Sequence, residues 1–170
     1  YALSFKGFEN TSRNPVSMFI PLEVTPELGN EFSVEFDIKS KDMRWYLYLA
    51  EDGDITEEEI TKNAAIGMDE NGVVKYAKGY SSTETFNIAN DAVTLTEDEW
   101  HTIKLTVVPD TSQQSAVYKL SLDGGDVYTL ETTREFYDTV TEGIGFGYIV
   151  RAVDAELSID NIRVYTGTMV

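Results

Sequence analysis

Apolar and polar residues alternate along this chain with a period of two. Phe32, Val34, Phe36 and Ile38 are separated by Ser33, Glu35, Asp37 and Lys39, and Trp45, Leu47 and Leu49 are interleaved with Arg44, Tyr46 and Tyr48. A strand sends successive side chains to opposite faces, so this spacing predicts half-buried strands. The same pattern predicts strands over Trp100–Val108, Val117–Leu122, Ile144–Val150 and Leu157–Val164. Asn71-Gly72, Pro109-Asp110 and Asp123-Gly124-Gly125 mark turns between such runs. Strands recurring about every 10 to 15 residues predict an all-β fold, a two-sheet antiparallel β-sandwich. In the last strand, Leu157 and Ile159 point inward, and Ile162 and Val164 do so again after Asp160-Asn161, a change of phase that predicts a bulge. Residues 54–63 are the one stretch with helical signals, Thr56 and Glu59 standing at capping-box spacing, and are expected to form one or two turns within a loop. With no internal repeat, linker or low-complexity tract, residues 1–170 read as one domain.

Composition narrows the partners. At 170 residues the chain is long enough to bury roughly 70% of its unfolded surface without a metal or disulfide, and it contains no cysteine. The formal net charge of −17 repels phosphate backbones and anionic lipid, so neither nucleic acid nor a membrane is expected as a partner. Anionic polysaccharides are disfavoured for the same reason unless calcium bridges the charges. No apolar run approaches the ~18 residues of a spanning helix. The strand-like start at Tyr1-Ala2-Leu3-Ser4-Phe5 and the strand close to the end suggest a monomeric module covalently linked to other domains of a larger protein.

Three segments carry a family likeness. They are Phe8-Glu9-Asn10; Glu99-Trp100-His101-Thr102-Ile103-Lys104-Leu105 with Tyr118-Lys119-Leu120-Ser121-Leu122-Asp123-Gly124; and Leu157-Ser158-Ile159-Asp160-Asn161-Ile162-Arg163-Val164-Tyr165. Over roughly residues 3 to 166 the chain resembles the concanavalin A-like lectin/glucanase (laminin-G-like jelly-roll) domains attached to bacterial polysaccharide-degrading enzymes. The resemblance implies a jelly-roll, a polysaccharide or oligosaccharide ligand, and a secreted, extracellular or cell-surface setting. It also implies a structural calcium ion, Ca2+, with Glu9 and Asp160 as side-chain ligands and Asn10 and backbone carbonyls completing an oxygen shell.

Glycan-cleaving jelly-rolls of the family carry Glu-x-Asp-x-Glu on one strand, whose alternation places the acids on the concave face as nucleophile and proton donor. The nearest match here is Glu35-Phe36-Asp37-Ile38-Lys39, with an ammonium where the third carboxyl should be. His101, the sole histidine, has no serine or cysteine elbow motif beside it. Both observations lead to the expectation that the chain is not an enzyme.

Sugar rings dock on aromatic faces while polar neighbours bond the hydroxyls. Arg44, Tyr46 and Tyr48 are expected on one face, beside a flat floor left by Gly145 and Gly147, with Arg151 at the edge and Glu35 or Asp37 bonding hydroxyls. Two glycines on one strand face suggest close approach of a ligand or backbone. Tyr80 and Tyr137 offer a rival site at the loop rim. The expected function is therefore non-catalytic binding of a neutral polysaccharide. A structural or adhesive module of a bacterial cell-surface protein and an unrecognised hydrolase or lyase are the alternatives.

Overall fold

Residues 32–38 show how the alternation is used. Phe32, Val34, Phe36 and Ile38 are buried, whereas Glu35, Asp37 and Lys39 between them are partly exposed. Each buried apolar side chain contributes about 1.5–3 kcal/mol through the surface it removes from water. That is enough to fix the strand's orientation, because a slip of one residue would exchange the two sets.

The computed structural model describes residues 3–6, 16–21, 30–50, 64–69, 71–77, 85–88, 93–110, 112, 115–132, 143–150 and 154–166. Through them run the strands β1 (Leu3–Lys6), β2 (Val16–Pro21), β3 (Phe32–Lys41), β4 (Met43–Ala50), β5 (Ala64–Met68), β6 (Val74–Ala77), β7 (Thr85–Asn87), β8 (His101–Asp110), β9 (Ser115–Leu122), β10 (Val127–Thr132), β11 (Gly143–Val150) and β12 (Glu156–Thr166). The expected helical turns at 54–63 lie outside the described residues.

The strands form the expected sandwich of two antiparallel sheets, in the orders β1-β12-β3-β8-β9-β10 and β2-β11-β4-β5-β6-β7. Strands β3 and β4 are joined through Asp42 alone, yet enter different sheets. Asp42 has φ 50°, in the left-handed region that lets the chain reverse so tightly. Because each strand keeps its apolar side inward across this reversal, Phe36 and Ile38 of the first sheet face Trp45 and Leu47 of the second within one core.

Two further sequence signals are realised. At the hairpin between β9 and β10, Asp123 and Gly124 have φ 53° and 67°, the left-handed pair required by a type I′ turn. In β12, Asp160 pairs with Asp37 and Arg163 with Glu35, so Asn161 and Ile162 together oppose the single residue Phe36. That is the bulge, with Asn161 at φ 51°. The Asn161 amide donates to Asp37 Oδ2 at 2.6 Å, and its backbone N–H donates to Asp160 Oδ1 at 2.8 Å.

On the outward side of the second sheet, β11 pairs Gly145 with Tyr48 and Gly147 with Tyr46. The Tyr48 ring lies directly on Gly145: a Cβ added there would overlap Cε2, Cζ and Cδ2 of the ring. The glycine is needed because an aromatic side chain, rather than a ligand, occupies the space above it. Tyr48 is 2% exposed yet stands outside the core cluster, so it belongs to a second packing layer on the outer face of this sheet. Gly145→Ala is predicted to displace that ring and cost about 1–3 kcal/mol, read as a lower urea midpoint with an unchanged m-value.

Candidate functional site

The outer face of the second sheet is built from residues that alternate with its core positions. Arg44 and Tyr46 lie between buried Met43, Trp45 and Leu47, and both are half-buried. Tyr46 pairs with Gly67 of β5, and Gly67 pairs in turn with Lys75 of β6. The Tyr46 ring leans over Gly67, where an added Cβ would come within 2.8 Å of Tyr46 Cδ1 and of the Trp45 carbonyl oxygen. Lys75 Nζ bonds Asp69 Oδ2 at 2.7 Å. Asp69 Oδ1 also accepts the backbone N–H groups of Asn71 (2.8 Å) and Val73 (3.2 Å), which locks the β5–β6 turn. A partly open aromatic ring therefore stands beside a fixed ammonium–carboxylate pair and a guanidinium. Such a set can stack on the C–H face of a sugar and exchange hydrogen bonds with its hydroxyls.

The structure separates residues that the sequence reading grouped. Glu35 and Asp37 are on β3, so they face outward from the first sheet, on the opposite side of the sandwich from Arg44 and Tyr46. They are engaged locally: Thr102 Oγ1 donates to Asp37 Oδ1 at 2.6 Å, and Arg163 Nη1 bonds Glu35 Oε1 at 3.2 Å. The phenol of Tyr165, reinforced by Glu35, raises the Arg163 pKa and so holds the guanidinium firmly charged. Glu35 and Asp37 thus do not join a site around Tyr46. Tyr48 does not either, since a ring 2% exposed has no face left for a sugar. Arg151, Tyr80 and Tyr137 lie outside the described residues.

No protein-family model matches the chain, and no curated protein matches it in sequence. Solved structures do match. The carbohydrate recognition domain of Emp46p in its metal-free form is similar with a TM-score of 0.63 at 15% identity, over 94% of this chain and 81% of that one. A mutant of the alginate lyase Aly36B in complex with alginate trisaccharide matches with a TM-score of 0.56 at 10% identity, over 97% of this chain and 80% of that one. The catalytic domain of a GH131 β-glucanase from Podospora anserina matches with a TM-score of 0.55 at 8% identity, over 99% of this chain and 72% of that one. The chain has the concanavalin A-like jelly-roll fold. At these identities the likeness carries the fold alone.

That jelly-roll is shared by a lectin domain, a lyase and a glucanase, which overturns the expectation that the chain is not an enzyme. The residue argument behind that expectation is confined to one face of the sandwich. Lys39 stands on the outer face of the first sheet, where its Nζ bonds Asp98 Oδ1 at 3.0 Å, on the other side of the sandwich from the Tyr46 face. A lysine there says nothing about chemistry on the second sheet.

The calcium expectation finds no support among the described residues of this jelly-roll. Asp160 accepts the Asn161 N–H, the Asn161 amide and the Thr102 hydroxyl occupy Asp37, and no three acidic or histidine side chains converge as a metal site. Glu9 lies outside the described residues. A lectin relative of the fold, the Emp46p domain, does have a potassium-bound form, which matches at 13% identity with a TM-score of 0.58 over 94% of this chain and 82% of that one.

Two features escaped the sequence reading. One is the Asp69–Lys75 pair beside Tyr46, whose only trace in sequence is an acid two residues before the Asn71-Gly72 turn. The other is Trp100, expected to open a strand but placed ahead of β8 and exposed. The run Glu97-Asp98-Glu99 before it was the available signal. Burial tends to raise the Asp69 carboxyl pKa, but Lys75 and the two backbone N–H groups together outweigh it and hold the pKa below the ordinary 3.8. A depressed carboxyl contributes stability above its unfolded pKa and loses it as pH falls through the folded value. The stability advantage of the wild type over Asp69→Asn is therefore predicted to be full near neutral pH and to shrink below about pH 4, measured by urea unfolding across that range.

Proposed function

We propose that this jelly-roll binds a carbohydrate on the outer face of its second sheet, with Tyr46 as the stacking residue and Arg44, Lys75 and Asp69 bonding hydroxyls. The observation that carries the reading is the Tyr46 ring laid over Gly67, beside the Asp69–Lys75 pair. A ring held in this way needs little further ordering to receive a sugar, and preorganisation of that kind raises affinity. The fold supports it, since the solved structures that share it include carbohydrate recognition domains and enzymes acting on polysaccharides. The net charge of −17 favours neutral glycans over uronates. The reading concerns engagement of the ligand and holds equally for a lectin and for an enzyme. It also implies an extracellular setting, where such polymers are found.

Affinity electrophoresis in gels containing neutral polysaccharides tests it. Tyr46→Ala is predicted to weaken retention about tenfold, 1.4 kcal/mol, while Tyr46→Trp preserves it. Tyr48→Ala is predicted to lower the melting temperature instead, because its ring is packed and not presented. Equal retention of wild type and Tyr46→Ala on every retaining polysaccharide would exclude this face.

A further inference from the structure

The chain has two tryptophans in opposite environments. Trp45 is 0% exposed in the core, whereas Trp100 is 48% exposed. Among the described residues, Trp100 and Val127 are the large hydrophobic side chains left in water. Both stand at the same end of the first sheet, where β8 begins and β9 turns back into β10.

The segment that carries Trp100 is tied down on both sides. Asp98 N–H donates to the Ser40 carbonyl at 2.9 Å, and the Asp98 carboxylate pairs with Lys39 at 3.0 Å. His101 Nδ1 bonds Asp123 Oδ2 at 2.8 Å, and its Nε2 lies 3.1 Å from both the backbone nitrogen and the carbonyl oxygen of Thr96. Asp123 Oδ1 accepts the Thr102 N–H at 2.8 Å, and the Asp123 N–H donates to the Thr102 carbonyl at 2.8 Å. The indole is thus exposed from a segment fixed to the β3–β4 reversal on one side and to the β9–β10 turn on the other.

A solvent-facing indole carried on a tethered segment is suited to the C–H face of a pyranose. Glu97, Asp98, Glu99 and Asp126 surround that end of the sheet, and all four are exposed. Carboxylates accept hydrogen bonds from sugar hydroxyls, but repel uronate, sulfate and phosphate groups. Among the described residues, Trp100 and Val127 are the exposed large apolar side chains at this end, less than a stable protein interface needs. We propose that Trp100 is the stacking platform of a second carbohydrate subsite, specific for neutral pyranose rings and separate from the Tyr46 face. It does not depend on the Tyr46 reading.

Because Trp45 is buried, acrylamide quenching of tryptophan fluorescence reports on Trp100. The experiment adds barley β-glucan, galactomannan, xylan or, as an acidic control, polygalacturonate to wild type and to Tyr46→Ala. At least one neutral polymer should slow quenching in both proteins, and polygalacturonate should not. In gels of that polymer, Trp100→Ala made in the Tyr46→Ala background should weaken the remaining retention about tenfold, 1.4 kcal/mol, whereas Trp100→Phe should keep most of it. Unchanged quenching with all three neutral polymers overturns the proposal. So does protection that rises with protein concentration in the absence of polysaccharide, which would mark a second copy of the chain as the occupant. Loss of retention in Tyr46→Ala with Trp100 quenching unaffected removes this subsite and leaves the first; protection of Trp100 with retention untouched by Tyr46→Ala does the reverse.

Discussion

Phe36 touches both of the aromatic side chains that anchor the opposite sheet. Its ring meets Trp45 edge-on, with centroids 6.1 Å apart at 88°, and Phe146 at 4.9 Å and 78°. Phe36 belongs to β3 in the first sheet, Trp45 and Phe146 to β4 and β11 in the second, so the three rings join the layers. Edge-to-face pairs of this kind add about 0.5–1.5 kcal/mol beyond the area they bury, and their larger effect is on orientation. With Phe36 inside, Glu35 and Asp37 must face out; with Trp45 inside, Arg44 and Tyr46 must face out on the far side. The faces taken by the polar groups of β3 and β4 follow from that constraint.

The two tyrosines of β4 show how one local device yields different outcomes. Each ring lies across a glycine on a neighbouring strand, Tyr48 on Gly145 and Tyr46 over Gly67. Glycine weakens a strand because it has no side chain to pack, and an aromatic ring from the adjacent strand restores the lost cover. For Tyr48 the cover is complete and the ring is structural. Tyr46 is only half-buried, in register through Gly67 with Lys75, which leaves part of its surface able to bind. Packing against the sheet and availability to a ligand therefore differ by what lies above the ring rather than below it.

Much of the fold was legible because it depends on local rules. Alternation from Phe32 to Ile38, the phase change at Asp160-Asn161 and the Asp123-Gly124 turn each reflect physics confined to a few residues. Gly145 and Gly147 do lie beside Tyr48 and Tyr46, as the alternation led us to expect, but the Tyr48 ring fills the floor at Gly145. What could not be read was the sheet to which each strand belongs. The reversal at Asp42 sends β3 and β4 to opposite sides of the core, so Glu35 and Tyr46, eleven positions apart by number, never share a face. Whether Tyr48 is open or covered stays undecided in the sequence for a related reason, since period two separates the faces of a strand but not an open face from a covered one. Trp100 was misread because an aromatic before Ile103 and Leu105 looks like the start of their strand.

Lys39 gathers these points into one. In the sequence it stands two positions after Asp37, where an acid would complete a catalytic row, and its charge there looks decisive. In the folded chain it reaches Asp98, whose backbone N–H is held by the Ser40 carbonyl, so one short stretch of β3 grips the segment 96–100 by an ion pair and a hydrogen bond. An exposed ion pair alone contributes little, about 0–1 kcal/mol. Combined with the Ser40 bond and the Thr96–His101–Asp123 chain on the other side, it fixes the position of a segment that has little apolar surface to bury. The lysine is thereby a tether between the first sheet and the segment that holds Trp100 in solvent, and its presence leaves the chemistry of the second sheet undecided. A charged residue in a strand acquires its meaning from the face to which the core assigns it, and here that assignment is made by Phe36.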